Sequence, residues 1–479
     1  MLQGPPRTHE YSAPSAGYRA LFSVVLCGFL TVASAAQQSP PARMSLSTVM
    51  DRVIATDRNL GIADYEVRKT IVDQAKVRSR MAPRISLDAG AAWRGDETRS
   101  YAEVSTGSPP EIVRERRWTR SSSNAQSLGL NLSQPILDLT VKPARRQTEL
   151  LEQISRWQLR LRIREVLFSV TAQYFEVLRQ SQLVEENKKT LGQTTEQVRQ
   201  AEGRLKAQEV IESDVLQARV SDEQARRAVM EAEVSRDLAM SRLAVTLDYS
   251  PVARFSLAGT GPGRLPAAGV SAAIQVAHQR REEVRIAQLA LNRTQAERDG
   301  IMARFAPRMD FQMGADSATG SSLDRRDSWN AGLSFSWDIF DRGERKLDLK
   351  TNTLQLSQDG LRIEESLRVI SNDVVDAWFT VDRYRKRLAS LAVERKAAEA
   401  NYDVQQGKYK AGLATALEVQ TALRDLARVR IEFVSSTYTL EVAYRDLENV
   451  TALYESSRID AAMERFAAIV PPGFPFKSK

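Results

Sequence analysis

Two hydrophobic periods run through this chain, and each of them occurs twice. Ile85, Leu87, Ala89, Ala91 and Trp93 alternate with Ser86, Asp88, Gly90 and Ala92, and Leu128, Leu130 and Leu132 alternate with Gly129, Asn131 and Ser133. Further on, Met309, Phe311 and Met313 alternate with Asp310, Gln312 and Gly314, and Leu333, Phe335 and Trp337 alternate with Gly332, Ser334 and Ser336. Successive side chains on a strand point to opposite faces, so a period of two predicts strands with one greasy face. Four are expected, over about 84–94, 127–137, 307–317 and 328–340.

The other period is three to four. Ile163, Val166, Val170, Tyr174 and Val177 form one helical stripe within a long helix predicted over about 143–206. At 1.5 Å per residue that helix is ~90 Å long. A mate of equal length is predicted over about 344–409, and each long helix is followed by a turn and a second helix, about 211–247 and 416–453. In the last helix Leu423, Leu426, Phe433, Leu440, Tyr444 and Leu447 make a heptad seam, interrupted by Arg430 and Thr437. Val429, Val434, Val442 and Val450 lie off that seam. Two apolar stripes require two helical neighbours, as in a closed cylinder or bundle. A solitary coiled-coil hairpin, a periplasmic scaffold, is the competing arrangement.

The periods recur because the chain is duplicated. MAPRISLDAGAAWR at 81–94 is answered by FAPRMDFQMGAD at 305–316, LGLNLSQPILD at 128–138 by AGLSFSWDIFD at 331–341, and ESDVLQA at 212–218 by ALEVQTA at 416–422. The order is preserved, so the unit is large: helix, strand, strand, helix, helix. The chain divides into a leader at 1–35, a first repeat at 36–247, a Pro/Gly-rich linker at 248–268, a second repeat at 269–455 and a tail at 456–479.

The leader changes what the strands mean. LFSVVLCGFLTVASAA at 21–36 follows Arg7 and Arg19 and ends in Ala33-Ser34-Ala35, the layout of a secretory signal peptide. It is shorter than the ~20 apolar residues of a membrane anchor. The strands could pack as an ordinary hairpin on a soluble core. Against that, each run is about 9–12 residues, the length that crosses a bilayer as a tilted strand. The loops expected between them, about 95–126 and 318–327, are polar and unequal, and the leader sends the chain across the inner membrane. Four strands cannot close a barrel, and unpaired strand edges in lipid cost several kcal/mol per group. The chain must therefore oligomerise. Two copies would supply eight strands and three would supply twelve, and periodicity does not choose between them.

Composition removes most chemistry. Cys27, the only cysteine, and His9 go with the leader, leaving His278 as the sole histidine of the mature chain. No thiolate, disulfide or His/Cys metal set is then available, so no enzyme activity, cofactor or metal is expected. The net charge of +8 comes from 68 basic residues interspersed with 60 acidic ones, as on solvated helix faces, so no nucleic-acid partner is expected.

Over about 44–455 the chain resembles the TolC-like outer-membrane efflux proteins. The resemblance is carried by the duplicated order, the helix–Ala-Pro-Arg–strand junctions, WDIFDRGERK at 337–346 against the family's W-P-L-F-D-x-G-R run, and YKAGLATALEVQTA at 409–422 against its Y-x-x-G-x-x-x-x-x-D-V-L-x-A pattern. It implies an α+β membrane protein: a homotrimer whose four strands per subunit make a twelve-stranded outer-membrane β-barrel, continued by a twelve-helix periplasmic tunnel. It implies a passive exit duct of a tripartite efflux or type I secretion system. The expected partners are a periplasmic adaptor, an inner-membrane pump and outer-membrane lipid.

The same resemblance places an entrance at the helical tips, held shut by bonds between neighbouring tips and narrowed by acidic rings. Position by position, the tip tyrosine is Tyr409 and the turn glycine Gly412. The acid bonded to that tyrosine in the closed state falls at Asp214, beside the hydroxyl of Ser213, and the acid opening the D-V-L-x-A run is Glu418. The family's best-known member has an arginine where this chain has Ala414 and a second acid at Thr421, so fewer closing bonds and a less acidic throat are expected. Gln208 replaces the turn glycine in the first repeat, so that tip is expected to turn differently. Thr415-Ala416-Leu417-Glu418 is also a capping box, and Asp214 sits in a first helical turn, so both acids have a helix-end role as the alternative to a constriction. Gly412 is expected to supply a positive φ. Trp93, Trp329 and Trp337 either form aromatic belts at the membrane edges or simply pack.

Overall fold

The computed structural model describes residues 43–106, 111–259, 269–321 and 323–467. The leader, with His9 and Cys27, lies outside the described residues, as do parts of the inter-repeat linker and of the tail.

Strand β1 (Arg43–Met44) leads into α1 (Leu46–Thr56), capped by Ser45, and α2 (Arg58–Ser79), capped by Asp57. Then come β2 (Arg84–Thr106), β3 (Glu111–Leu137), α3 (Val141–Lys206) and α4 (Glu212–Thr246). A short β4 (Ser256–Leu257) returns to pair in parallel with β1. The plan then repeats as α5 (Gly269–Arg280), α6 (Glu282–Ala303), β5 (Arg308–Gly320), β6 (Leu323–Ser336), α7 (Glu344–Lys410) and α8 (Ala416–Val450), followed by α9 (Ser456–Ala467).

The four long strands make one antiparallel sheet in the order β2-β3-β5-β6. Residues directly opposite in such a ladder share a face. The pairs Leu87↔Leu130, Leu132↔Met313 and Phe311↔Leu333 therefore put the alternating apolar residues of all four strands on one side. That side is exposed in the single chain, with Leu87 and Leu333 each 68% accessible. The opposite side is polar or small, and there Asn131 donates to the Asp88 carboxylate at 2.9 Å. Among the described residues, the outer edges of β2 and β6 have no partner strand.

Two expectations about the loops are corrected. Residues 95–106 and 111–126 are strand rather than loop: β2 runs to Thr106 and β3 starts at Glu111, paired rung for rung. Polarity reports solvent, not backbone shape, and Thr98, Tyr101, Val104, Val113 and Trp118 are residue types that suit a strand. Arg99 lies 4.0 Å over the ring of Trp118, its partner in the register. At ~3.4 Å per residue, this ribbon far outreaches the 9–11 residues that cross a bilayer. In the second repeat the expected loop 318–327 is also mostly strand, since β5 runs to Gly320 and β6 starts at Leu323. At its other end β6 stops at Ser336, short of 340, and Trp337 turns away to donate its indole N–H to the Phe305 carbonyl at 3.0 Å.

The helices form a wall in which each neighbour covers one stripe. Helix α3 packs on α4 and α8 toward the tips and on α2 and α6 toward the sheet, and α7 packs on α8 and α6. Ile163, Val170, Tyr174 and Val177 are buried on α3. On α8 Leu423, Leu426, Leu440 and Leu447 are buried, and so are Val429, Val434 and Val450 of the second stripe. Helix α8 thus has two helical neighbours, which sets aside the solitary hairpin. Where the repeats meet, buried Arg164 on α3 pairs with buried Glu282 on α6 at 3.0 Å and donates to the Asn449 carbonyl on α8 at 2.7 Å. Breaking one member would leave an uncompensated buried charge, which costs several kcal/mol.

Candidate gate at the helical tips

Each long helix ends in the same backbone turn. In the second tip Ala411 N–H donates to Gly407 O at 3.1 Å, Gly412 N–H to Tyr409 O at 3.0 Å and Leu413 N–H to Lys408 O at 2.8 Å. In the first tip Ala207 N–H donates to Gly203 O at 3.2 Å, Gln208 N–H to Leu205 O at 2.9 Å and Glu209 N–H to Arg204 O at 2.9 Å. Gly412 has φ 75° and Gln208 has φ 62°. The expectation that the first tip turns differently is therefore corrected. Closing the last carbonyls of the helix demands the left-handed conformation at this position, and Gln208 adopts it at a cost of about 1–2 kcal/mol that glycine avoids.

The helices that follow start differently. Thr415 caps α8, accepting from Glu418 N–H at 3.3 Å while its own N–H donates to the Glu418 carboxylate at 2.7 Å. That capping box holds the Glu418 carboxyl below its ordinary range, first through the Thr415 N–H, then the Thr415 hydroxyl, with a smaller contribution from the Lys408 charge. Helix α4 is preceded by Ile211, which offers no side-chain cap. Asp214 stands in its first turn, half-buried, and Ser213 beside it is exposed.

Tyr409 is buried against Tyr402, Val419, Leu423 and Leu426. The structure does not bond it to Asp214. Its partner is Arg204, whose Nη1–H donates to the Tyr409 carbonyl at 2.8 Å and whose guanidinium lies 4.6 Å from the ring centre. The ion pair with Glu209 at 2.9 Å, ahead of Tyr409, raises the pKa of Arg204. Sequence reasoning passed over Arg204. Its one signal was a basic residue five positions before an acid, on either side of a turn. Trp93 and Trp329 stand exposed on the apolar face of the sheet, Trp93 toward the ribbon and Trp329 opposite Ala315, while Trp337 lies just past the end of β6. His278, half-buried, has Nε2 within hydrogen-bond distance of Leu367 O and Ser371 Oγ. Among the described residues no group of three or more His, Cys, Asp or Glu side chains could hold a metal, and no helix is long and apolar enough to cross a membrane.

Comparison with known proteins agrees with this architecture. Residues 273–453 match the family model described as outer membrane efflux protein. The outer membrane efflux protein BepC of Brucella suis biovar 1 (strain 1330) is 22% identical over 384 residues, covering 79% of this chain and 81% of that protein. The solvent efflux pump outer membrane protein SrpC of Pseudomonas putida is 26% identical over 270 residues, which is 54% of this chain and 56% of SrpC. Among solved structures, CusC superposes with a TM-score of 0.70 at 17% identity, covering 85% of this chain and 91% of CusC. The CmeC outer membrane channel of Campylobacter jejuni gives 0.69 at 15% identity, covering 88% and 89%. Residues 273–453 therefore match the outer membrane efflux protein model, and the chain as a whole is similar to proteins named as outer membrane efflux proteins and shares the fold of solved outer-membrane channels.

Proposed function

We propose that this chain is the outer-membrane exit duct of a tripartite export system, a passive channel that three copies complete. The observation that carries the proposal is the sheet, which among the described residues has four strands, one exposed apolar face and two edges without a partner strand. In lipid the face is at home, but the edges are not, because unpaired backbone groups there find no water. The helical wall has the same property. Helix α4, at one edge, exposes Leu216, Val220 and Val234, and α7, at the other, exposes Leu354, Leu361 and Phe379. Different faces at opposite edges make a head-to-tail contact, which generates a ring if the rotation closes. With three copies, β6 of one subunit meets β2 of the next, and twelve strands enclose a lumen that eight would fill with their own side chains.

The leader at 1–35 sends the chain to the periplasm, and the two repeats at 36–247 and 269–455 each supply half of a subunit's wall. The tips form the periplasmic entrance and meet an adaptor linked to an inner-membrane pump, which supplies the energy. In a threefold ring Glu418 recurs three times, and in the entrance such carboxylates favour cations.

Detergent-extracted protein reconstituted in planar bilayers tests the duct directly, and the expected result is discrete single-channel conductance from an oligomer. Crosslinking of the intact envelope is expected to recover a periplasmic adaptor with it. A leader-free protein that is a monodisperse, detergent-independent monomer overturns the reading.

A further inference from the structure

We infer that the apolar face of the sheet holds one phosphorylated glycolipid of the outer leaflet per subunit, in a groove between Trp93 and Trp329 with Arg325 at its rim. The inference rests on the duct reading above, which turns this face to lipid and the β2–β3 ribbon to the exterior.

The groove follows from the register. Rising from the helical end of the sheet, the residues paired across this face are large: Met309 with Phe335, Phe311 with Leu333, and Ile85 with Leu132 and Met313. Higher up they shrink. Ala89, Leu128 and Ser317 stand in one row, and Ala91, Gln126 and Thr319 in the next. The missing side-chain volume leaves a cavity of about 640 Å³, bordered on β6 by Arg325. Trp93, one row above on β2, and Trp329, one row below on β6, stand exposed at its diagonal corners.

The lining sets what fits. The two alanines and Leu128 offer an apolar floor at the top of the greasy band, where acyl chains end. Gln126 and Thr319 add an amide and a hydroxyl, which both donate and accept, as sugar hydroxyls require. Arg325 adds a planar cation of the kind that takes phosphate oxygens in pairs. Its Nε–H donates to Asp327 at 3.1 Å, which holds the side chain along β6. Tryptophans on a lipid-facing surface settle at the level of the head groups, so the two rings bracket the groove at the depth of a lipid phosphate. Further up the same face, Arg120 pairs with Glu97 at 3.4 Å and Arg99 covers Trp118. Cationic and aromatic surface thus continues where a glycolipid head group extends outwards. A second copy of the chain does not fill the groove, because ring closure uses the edges of β2 and β6 and leaves the face between them to lipid.

The test is native mass spectrometry of the leader-free oligomer in detergent, titrated with diphosphoryl lipid A or with phosphatidylglycerol. Lipid A should saturate at one molecule per subunit. Arg325→Gln removes a charge-assisted contact to phosphate and should weaken binding about ten-fold. Ala91→Leu fills the floor and should weaken it at least as much. Arg326→Gln is the control, since Arg326 lies opposite Ala318 on the other face of the sheet, and it should change nothing. Absence of saturable lipid A binding overturns the site, as does an equal loss in Arg325→Gln and Arg326→Gln, which would make the attraction one of general charge. Phosphatidylglycerol binding as tightly, with the same dependence on Arg325, overturns the glycolipid as occupant. If Ala91→Leu fails to assemble, the two arginine variants decide, because both side chains are exposed. Conductance in planar bilayers separates this from the duct reading: a conducting oligomer that takes up no lipid A overturns the groove alone, whereas lipid A binding without conductance overturns the duct alone.

Discussion

The two tips are copies of one design, and they differ in how much of it their residues support. In the second tip sequence and backbone agree: glycine occupies the left-handed position, Thr415 and Glu418 close a capping box, and six buried side chains from Tyr402 to Leu426 fill the space between α7 and α8. In the first tip Gln208 takes the left-handed position, Ile211 gives no cap, and the buried cluster shrinks to Ala201, Val215 and Ala218. The turn nevertheless has the same hydrogen bonds in both. Backbone geometry survived divergence because the carbonyls at a helix end must be satisfied whatever the side chains are. What diverged is stability, so the first tip is the one more prone to fray.

The largest effect is expected where the second tip is most dependent on its residue. Gly412→Val forces a β-branched side chain into φ 75°, which costs about 2 kcal/mol or more. Amide exchange across residues 408–416 should speed up by more than ten-fold, and the second tip should then exchange no more slowly than the first. If exchange stays slow, the left-handed turn is not what holds this end of α7.

Next comes Thr415→Ala. It removes the side-chain half of the capping box, the hydroxyl that accepts from Glu418 N–H, and leaves the backbone N–H of residue 415 on the Glu418 carboxylate, a loss of about 1 kcal/mol. Hydrogen exchange in the first turn of α8 should rise several-fold. Ile211→Ala, at the matching place in the first tip, should change nothing comparable, because no side-chain cap is there to lose. Equal effects at the two sites would end the claimed asymmetry.

Gln208→Gly tests the same contrast from the other direction. Relief of left-handed strain outweighs the added freedom of the unfolded chain by about 0.5–1 kcal/mol. The first tip should then exchange more slowly, approaching the second. A faster exchange would mean that the Gln208 side chain contributes more than its backbone costs.

How much of this was legible in the sequence follows from what each signal reports. Helix extents were readable to within a few residues because an apolar stripe such as Ile163, Val170, Tyr174 and Val177 is a direct consequence of burial. The apolar parts of the strands were readable for the same reason. The ribbon from residue 95 to 106 was not, because its pairing is made by backbone groups in a polar stretch where side-chain alternation is lost. At the tips, Gly412 and the Thr415–Glu418 box were visible since both are local. Arg204 on Tyr409 was hidden: its partner lies 205 positions away, and no periodicity links residues brought together only by the packing of α3 beside α8.

The smallest expected effect is a pH dependence confined to the second tip. Glu418 is exposed, and its carboxyl is lowered first by the Thr415 N–H and then by the Thr415 hydroxyl, both of which bond the ionised form. A folded pKa below the unfolded one means that ionisation favours the capped state. The contribution is complete above the unfolded value of about 4.5, and it is lost as pH falls through the lower folded value. Near neutral pH nothing should change, whereas below about 4.5 exchange at the start of α8 should accelerate relative to a reference segment in mid-α8. Glu418→Gln should flatten that dependence, because its amide titrates nowhere in this range. Helix α4 has no side-chain cap at Ile211, so no capping box is there to be lost in acid. A step of equal size at both tips would show that acid acts on the helix ends generally, and the capping box would then not be what distinguishes the second tip.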